Sequence, residues 1–341
     1  MSGNLGHQRL SVPPSTQIER FPNLKFRTLG RTGLEVSELG LGTWSFASRA
    51  YGIVDPTDAL AVVRCALDGG INLFDTAPLY GNSEEDGISE GILGKALGSR
   101  RNEVLISSKF GRGSSFRGTA FTADGVQLSV EASLGRLSTD RIDVLFFHSP
   151  FGPDEIADDV WAGLEGLKQA GKIRCVGHSI SKFSDTQAMA RTWFDERKID
   201  VVQVVYSLMN RESAGLIHDL GSEGAGVFAR ESLANGFLSG AITAETAFPD
   251  NNLNRRYGRE ELGERVAYVD SLRFLVRDDV TTMPKAALRW VLDNPNTSLV
   301  LSGASNVEEL EDVLSVSELP RFTKREMERV ESGHTRDFEA A

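Results

Sequence analysis

The chain has 341 residues, 40 % hydrophobic and 25 % charged, with 34 glycines and 11 prolines, a globular composition long enough for one large domain or two ordinary ones. Its 37 basic and 48 acidic residues give a net charge of −11, which argues against nucleic acid or an anionic membrane surface as partner. No apolar run reaches the roughly 18 residues of a membrane span, the first 20 residues lack a signal-peptide core, and Cys65 and Cys175 read as buried thiols rather than a bridge or metal pair, so a reducing cytoplasm fits.

Residues 1–23, with Pro13-Pro14, read as a loose polar tail. Phe26-Arg27-Thr28-Leu29 and Leu34-Glu35-Val36-Ser37 then flank the glycine-bounded turn Gly30-Arg31-Thr32-Gly33, the pattern of a β-hairpin. Leu39 to Trp44 follows as a strand. Asp55-Pro56 supplies an N-cap and a pre-set first helical turn; Leu60, Val63 and Leu67 form the apolar stripe of that helix, and Gly69-Gly70 stops it. Strand and helix then alternate: strand 71–74 with a helix near 84–97, strand 104–108 with a helix near 123–137 (Val126, Leu128, Val130 and Leu134 apolar), strand 142–147 with a helix near 153–170, strand 173–177 with a helix near 181–196, and strand 201–205 with a helix near 211–220. After strand 226–229 comes a long polar loop, in which 248–256 has no periodicity, then helices near 260–277 and 283–293, strand 298–301, a helix over about 306–316, an amphipathic piece over 323–332 and a charged C-terminal tail over 331–341.

Most of the eight strands are short, continuously apolar and branched, as expected where both faces are covered. Right-handed crossovers make such a series a parallel sheet. Eight units in about 290 residues without an internal linker fit a closed (β/α)8 TIM barrel over 24–330, preceded by the short N-terminal β-hairpin. The other architecture open to this pattern is a doubly wound open sheet. Against it, Gly40-Leu41-Gly42 has no third glycine in register and no phosphate-binding loop sequence appears.

In a barrel, chemistry gathers at the carboxyl ends of the strands. Those ends carry Asp75 and Tyr80, then Lys109, then His148. Together they suit proton transfer to a carbonyl oxygen. A phenol with a pKa of ~10 is a poor acid or base at neutral pH; a nearby ammonium pulls it down, and a carboxylate keeps that ammonium charged in a dry site. A buried chain Tyr80–Lys109–Asp75 supplies both, and His148 can hydrogen-bond the carbonyl oxygen. None of these groups carries a hydride, so a cofactor is implied. A metal site is not expected: His148 and His178 stand on successive strand ends without a suitable third ligand.

These motifs resemble the aldo-keto reductase family over about residues 25–330. The resemblance rests on Gly40-Leu41-Gly42-Thr43-Trp44, the stretch from Gly70 to Tyr80, Ser108-Lys109, Phe147-His148, Gly177-x-Ser179, Gln203 with Tyr206-Ser207, Gly236-Phe237-Leu238-Ser239-Gly240 and Gly303-Ala304. It implies metal-free interconversion of carbonyls and alcohols with NAD(P)(H), Asp75, Tyr80, Lys109 and His148 forming the catalytic tetrad and Tyr80 acting as general acid. It also implies cofactor contacts at Gly42, Thr43, Trp44, Asp75, Ser232, Leu233, Gly303 and Ala304. The carboxamide would rest on Ser179 and Gln203, with Ile180 where the family has asparagine, and Arg230 stands where the family stacks an aromatic on the nicotinamide. At the adenosine end the family's basic residue is replaced by Ser305, and Glu309 and Val313 stand at its further donor positions. Glu309 would repel a 2′-phosphate and could accept from a free ribose hydroxyl, a lean toward NAD(H) over NADP(H).

The expected partner is a small-molecule carbonyl or alcohol, a sugar or sugar-derived compound among the candidates, and the expected state a monomer or small homo-oligomer. Two alternatives stay open: a non-catalytic cofactor-binding regulatory subunit, and a redox-neutral epimerase that retains its cofactor. Trp44 and loops 45–55, 111–121, 150–153 and 241–259 are expected to shape the pocket. Arg112, Arg117, Arg255 and Arg256 are candidates for an anionic group, while Met209 and Phe237 read as packing residues.

Overall fold

The computed structural model describes residues 24–47, 54–82, 84–113, 121–180, 183–250 and 252–339. Strands β1 (Phe26–Thr28) and β2 (Glu35–Ser37) pair antiparallel as the expected hairpin. It plugs the amino-terminal end of the barrel: Leu29 and Val36 join the interior cluster of Leu73, Leu105 and Val144. The turn needs glycine at position 30, where φ is +48° and a Cβ would lie 2.3 Å from the Gly224 carbonyl oxygen.

Eight strands then close into a parallel barrel: β3 (Leu39–Gly42), β4 (Leu73–Asp75), β5 (Leu105–Phe110), β6 (Ile142–His148), β7 (Ile173–Ser179), β8 (Val201–Val205), β9 (Gly226–Arg230) and β10 (Leu299–Ser302), with β10 paired to both β3 and β9. The helices are α1 (Pro56–Asp68), α2 (Ile88–Leu97), α3 (Ala123–Leu137), α4 (Val160–Gln169), α5 (Phe183–Asp195), α6 (Ala214–Ser222), α7 (Arg259–Ser271), α8 (Met283–Asp293), α9 (Val307–Leu314) and α10 (Lys324–Gly333). Among the described residues, no helix is long and apolar enough to cross a membrane.

The two-residue period of the strands decides what faces inward. Leu73, Leu105, Val144, Phe146, Cys175, Val201, Phe228, Leu299 and Leu301 fill the interior. Gly177 makes room for them, since a Cβ there would meet the Phe146 ring at 2.4 Å. One or two steps beyond these apolar residues, the same inward face carries Asp75, Lys109, His148, Ser179, Gln203 and Arg230.

Several boundaries differ from the sequence expectation. The first barrel strand stops at Gly42 and Trp44–Phe46 forms a 3-10 turn, because the Thr43 amide and hydroxyl both donate to the Asp75 carbonyl, at 2.9 and 3.0 Å. The helix expected from 84 begins at Ile88; before it, Asn82 Oδ1 accepts from the amides of Glu84 and Glu85 and holds a turn. The helix expected over 153–170 is a 3-10 turn, Pro153–Glu155, followed by α4, and that expected to 277 ends at Ser271, before the 3-10 turn Arg273–Leu275. Leu128 is 64 % exposed rather than part of the α3 stripe, since two residues from Val126 is nearly opposite on a helix. The charged tail docks: Phe338 packs on Tyr268 with ring centroids 5.3 Å apart, and its amide donates to the Met209 carbonyl at 2.8 Å.

Near the amino-terminal end, fully buried Asp143 accepts from Arg101 at 2.9 Å, from the Ile106 amide at 2.9 Å and from Arg174 at 3.1 Å. Asp143→Ala leaves buried Arg101 without its counter-charge, so urea unfolding should show about 3–5 kcal/mol of lost stability. A loss below ~1 kcal/mol would mean that the arginines find water instead.

Candidate active site

Asp75 ends β4, and parallel pairing sets it beside Ser107 of β5 in register. Two residues further along β5, on the same inward face, Lys109 reaches back: its Nζ donates to Asp75 Oδ2 at 2.6 Å, to the Thr76 carbonyl at 3.0 Å and to Tyr80 Oη at 3.0 Å. Lys109 is 1 % and Asp75 3 % exposed, so the ion pair is dry. The 76–80 turn brings Tyr80 round: its amide donates to the Ala77 carbonyl at 3.0 Å, and its carbonyl accepts from the Ser89 amide at 3.0 Å. Tyr80 is half-buried, its ring 6.4 Å from Trp44 and edge-on to His148 at 6.0 Å. His148 closes β6, and Ser149 after it takes the left-handed region at φ 51°, a strained conformation of the kind that surrounding structure must enforce.

Burial raises the Tyr80 pKa above the usual tyrosine value; Lys109 opposes this and does not overcome it. The ammonium therefore moderates the phenol without ionising it, and Tyr80 stands at neutral pH as a proton donor. Burial opposes charge on Lys109, yet Asp75 and Tyr80 together hold its pKa above the usual lysine value. Burial, reinforced by Lys109, Arg230 and Arg112, drives His148 well below the usual histidine value. It is a neutral imidazole whose buried Nδ1 has no partner among the described residues, suited to orienting an oxygen rather than competing as an acid.

A cleft of about 560 Å³ runs from Tyr80 across the barrel mouth. Gly42, Trp44, Asp75, Gln203, Arg230, Ser232, Leu233, Gly303, Ala304, Ser305 and Glu309 all line it. Thr43 and Ser179 are buried beneath it; Ser179 Oγ donates to Gln203 Oε1 at 3.2 Å, and Gln203 Nε2 donates to Asp75 Oδ1 at 3.0 Å. Arg230 ion-pairs with Glu231 and donates to the Ile180 carbonyl at 3.0 Å.

The loop after Arg230 holds Glu231, Ala234 and Asn235 at φ 55°, 48° and 54°, an unusual run of left-handed non-glycine residues. It leaves the Ser232 and Leu233 amides without an acceptor among the described residues, a cradle suited to an anion. At the far end Glu309 Oε2 accepts from the Ser305 amide and hydroxyl, each at 2.8 Å, and Lys285 pairs with Asp312 at 2.8 Å. The donor set thus fits an elongated dinucleotide: buried amide and hydroxyl groups at one end, backbone amides with no acceptor among the described residues in the middle, and a serine–carboxylate pair at the other.

Of the loop arginines, Arg112 is engaged by Glu155 at 2.6 Å and stacked on Phe151 at 4.4 Å, Arg255 pairs with Asp250, and Arg256 lies over Tyr257; Arg117 lies outside the described residues. Met209 and Phe237 are core residues. His178 faces away from His148, buried against Trp193 at 4.9 Å, with burial pushing it down to about 3, and no cluster of metal ligands occurs among the described residues. Sequence reasoning missed Ser107, whose hydroxyl donates to Asp75 Oδ1 at 2.7 Å, and the Lys285–Asp312 pair. The signal for Ser107 is its place two residues before Lys109 on one strand.

Comparison with known proteins agrees with this geometry. The sequence profile of the Aldo/keto reductase family matches residues 38–334. The chain is 31 % identical over 320 residues to Aldo-keto reductase YhdN of Bacillus subtilis (strain 168), covering 88 % of this chain and 90 % of that protein. It is 33 % identical over 305 residues to L-galactose dehydrogenase of Arabidopsis thaliana, covering 87 % and 89 %. Among solved structures it superposes on a glycerol dehydrogenase from Gluconobacter oxydans with a TM-score of 0.76 at 26 % identity, over 93 % of this chain and 95 % of that one.

Proposed function

The chain belongs to the aldo/keto reductase family, and from that premise we propose how the residues at the barrel mouth divide the work. As a member it is an NAD(P)H-dependent oxidoreductase that interconverts carbonyls and alcohols. The observation that carries the residue assignment is the unbroken contact from Asp75 Oδ2 through Lys109 Nζ to Tyr80 Oη, at 2.6 and 3.0 Å. Tyr80 gives its proton to the carbonyl oxygen as that oxygen gains negative charge, and takes one back in alcohol oxidation. Lys109 stabilises the tyrosinate left behind; Asp75 keeps Lys109 charged. Neutral His148 orients the substrate oxygen. Bound nicotinamide cofactor supplies or accepts the hydride. Ser179 and Gln203 would hold its carboxamide, Arg230 its ring by planar stacking, and the Ser232 and Leu233 amides its pyrophosphate.

At the adenosine end, the Glu309 carboxylate fixed by Ser305 supports a preference for NAD(H), since it can accept from a ribose 2′-hydroxyl and would repel a 2′-phosphate. Fluorescence titration should show NADH binding about fivefold or more tightly than NADPH, roughly 1 kcal/mol, and Glu309→Gln should narrow the gap. Tighter NADPH binding would refute the preference. A small polyhydroxylated carbonyl or alcohol is the proposed substrate class, as relatives of this chain are named for L-galactose and glycerol. A panel of sugars and short polyols, followed by nucleotide absorbance, tests this class and separates net redox turnover from a regulatory or redox-neutral role.

A further inference from the structure

We propose that Ser107 is a positioning residue of the proton relay: its hydroxyl holds Asp75 as an oriented carboxylate, and through Lys109 this governs how readily Tyr80 gives up its proton. The inference rests on the reading of Tyr80 as the general acid. Its basis is the set of side-chain donors to that carboxylate among the described residues. Asp75 Oδ1 accepts from Ser107 Oγ at 2.7 Å and from Gln203 Nε2 at 3.0 Å, while Oδ2 accepts from Lys109 at 2.6 Å. All four residues are buried, so the charge is solvated by protein donors.

The two side-chain donors on Oδ1 are not equivalent. Gln203 also lines the cleft and is itself held by Ser179. Ser107 has no contact with the cleft and donates its hydroxyl proton to Asp75 alone. Backbone register fixes it there, because the Ser107 carbonyl accepts from the Thr76 amide at 2.9 Å. A hydroxyl donating to a carboxylate oxygen makes a charge-assisted hydrogen bond that offsets part of its negative charge. Without it Asp75 Oδ1 keeps one donor fewer, and the carboxylate charge facing the Lys109–Tyr80 contact is less offset. Lys109, which touches Tyr80 Oη directly, then offsets less of that negative charge, and the phenol becomes harder to ionise. The other charged or titratable groups facing Tyr80 are Arg230 on β9, paired with Glu231, and His148 on β6; neither contacts Ser107.

The neighbouring serine provides an internal control. Ser108 is equally buried and also donates to a buried carboxylate, Glu90 Oε1 at 2.7 Å, but on the outer face of β5, where Glu90 pairs with Arg136. Generic loss of a buried serine hydrogen bond therefore predicts the same result for both positions.

The test is the pH profile of kcat/KM for alcohol oxidation, which requires the tyrosinate, together with alkaline titration of tyrosinate absorbance in the full chain without nucleotide, referenced to Tyr80→Phe to isolate one of five tyrosines. Ser107→Ala should move both the rising limb and the Tyr80 midpoint upward by about half a pH unit or more, roughly a threefold loss of kcat/KM on the limb. Ser107→Thr should restore them, and Ser108→Ala should leave them in place. Should Ser107→Ala not fold, Ser107→Cys, with its weak donor, takes its place under the same expectation. An unchanged or lowered midpoint in the position-107 variants, or an equal shift in Ser108→Ala, overturns the proposal. Wild-type turnover in Tyr80→Phe would instead sink the functional reading, leaving the absorbance titration to report the coupling by itself.

Discussion

Tyr80→Phe should reduce turnover by roughly 10²–10⁴-fold, the range for losing a positioned general acid, while the protein stays folded and still binds nucleotide. The substitution removes one oxygen, whose contact within the chain is the 3.0 Å bond from Lys109. The ring remains, and with it the packing against Trp44 and His148. The groups proposed to hold nucleotide, from Gln203 through Ser232 and Leu233 to Glu309, line the same cleft and make no hydrogen bond to that oxygen. Steady-state carbonyl reduction and fluorescence titration on one preparation therefore part the two properties: rate falls, dissociation constant stays. The phenol is also the group whose ionisation the surroundings resist. Burial raises its pKa against the pull of Lys109, so at neutral pH it holds the proton that reduction demands, and phenylalanine offers none. Turnover within threefold of wild type would move the acid elsewhere in the site. Loss of nucleotide binding together with activity would mark Tyr80 as part of the cleft wall.

The barrel was legible because its strands announce themselves. Continuous apolar runs such as Val144–Phe147, each followed by a helical stripe, admit few arrangements, and the polar residue ending each run, here His148, falls on the inward face by the period of two alone. Asp75, Lys109 and His148 are thereby assigned to one barrel mouth from the sequence pattern. The sequence was silent where tertiary contacts overrule local preference. Thr43 and Trp44 continue an extended pattern, but the Asp75 carbonyl captures both donors of Thr43 and bends the chain. Phe338 sits in a charged tail with no periodicity, and only the folded surface of Tyr268 and Met209 gives it a place. The pull of Lys109 on Tyr80 is readable in sequence, but the net direction of the shift is not, for a related reason: sequence names the charges near a group, while the extent of its burial emerges only when the barrel closes around it.

Lys109→Met tests whether the buried pair serves folding, chemistry or both. Methionine roughly matches the stem in length and volume, so packing changes little, but the ammonium that joins Asp75, Thr76 and Tyr80 disappears. Asp75 is left in a dry site with two neutral donors, Ser107 and Gln203. An unpaired buried carboxylate costs about 3–5 kcal/mol unless it takes up a proton, so stability in urea should fall and recover partly at acid pH. Turnover should drop by roughly 10²–10⁴-fold, because nothing remains to stabilise the tyrosinate formed as the proton leaves. The double variant Asp75→Asn with Lys109→Met separates the two effects. It carries no lone buried charge, so most of the lost stability should return, while turnover stays at the level of the single lysine variant. If activity instead returned in step with stability, the pair would be holding Tyr80 in place by packing, and the electrostatic part of the relay would have to be abandoned.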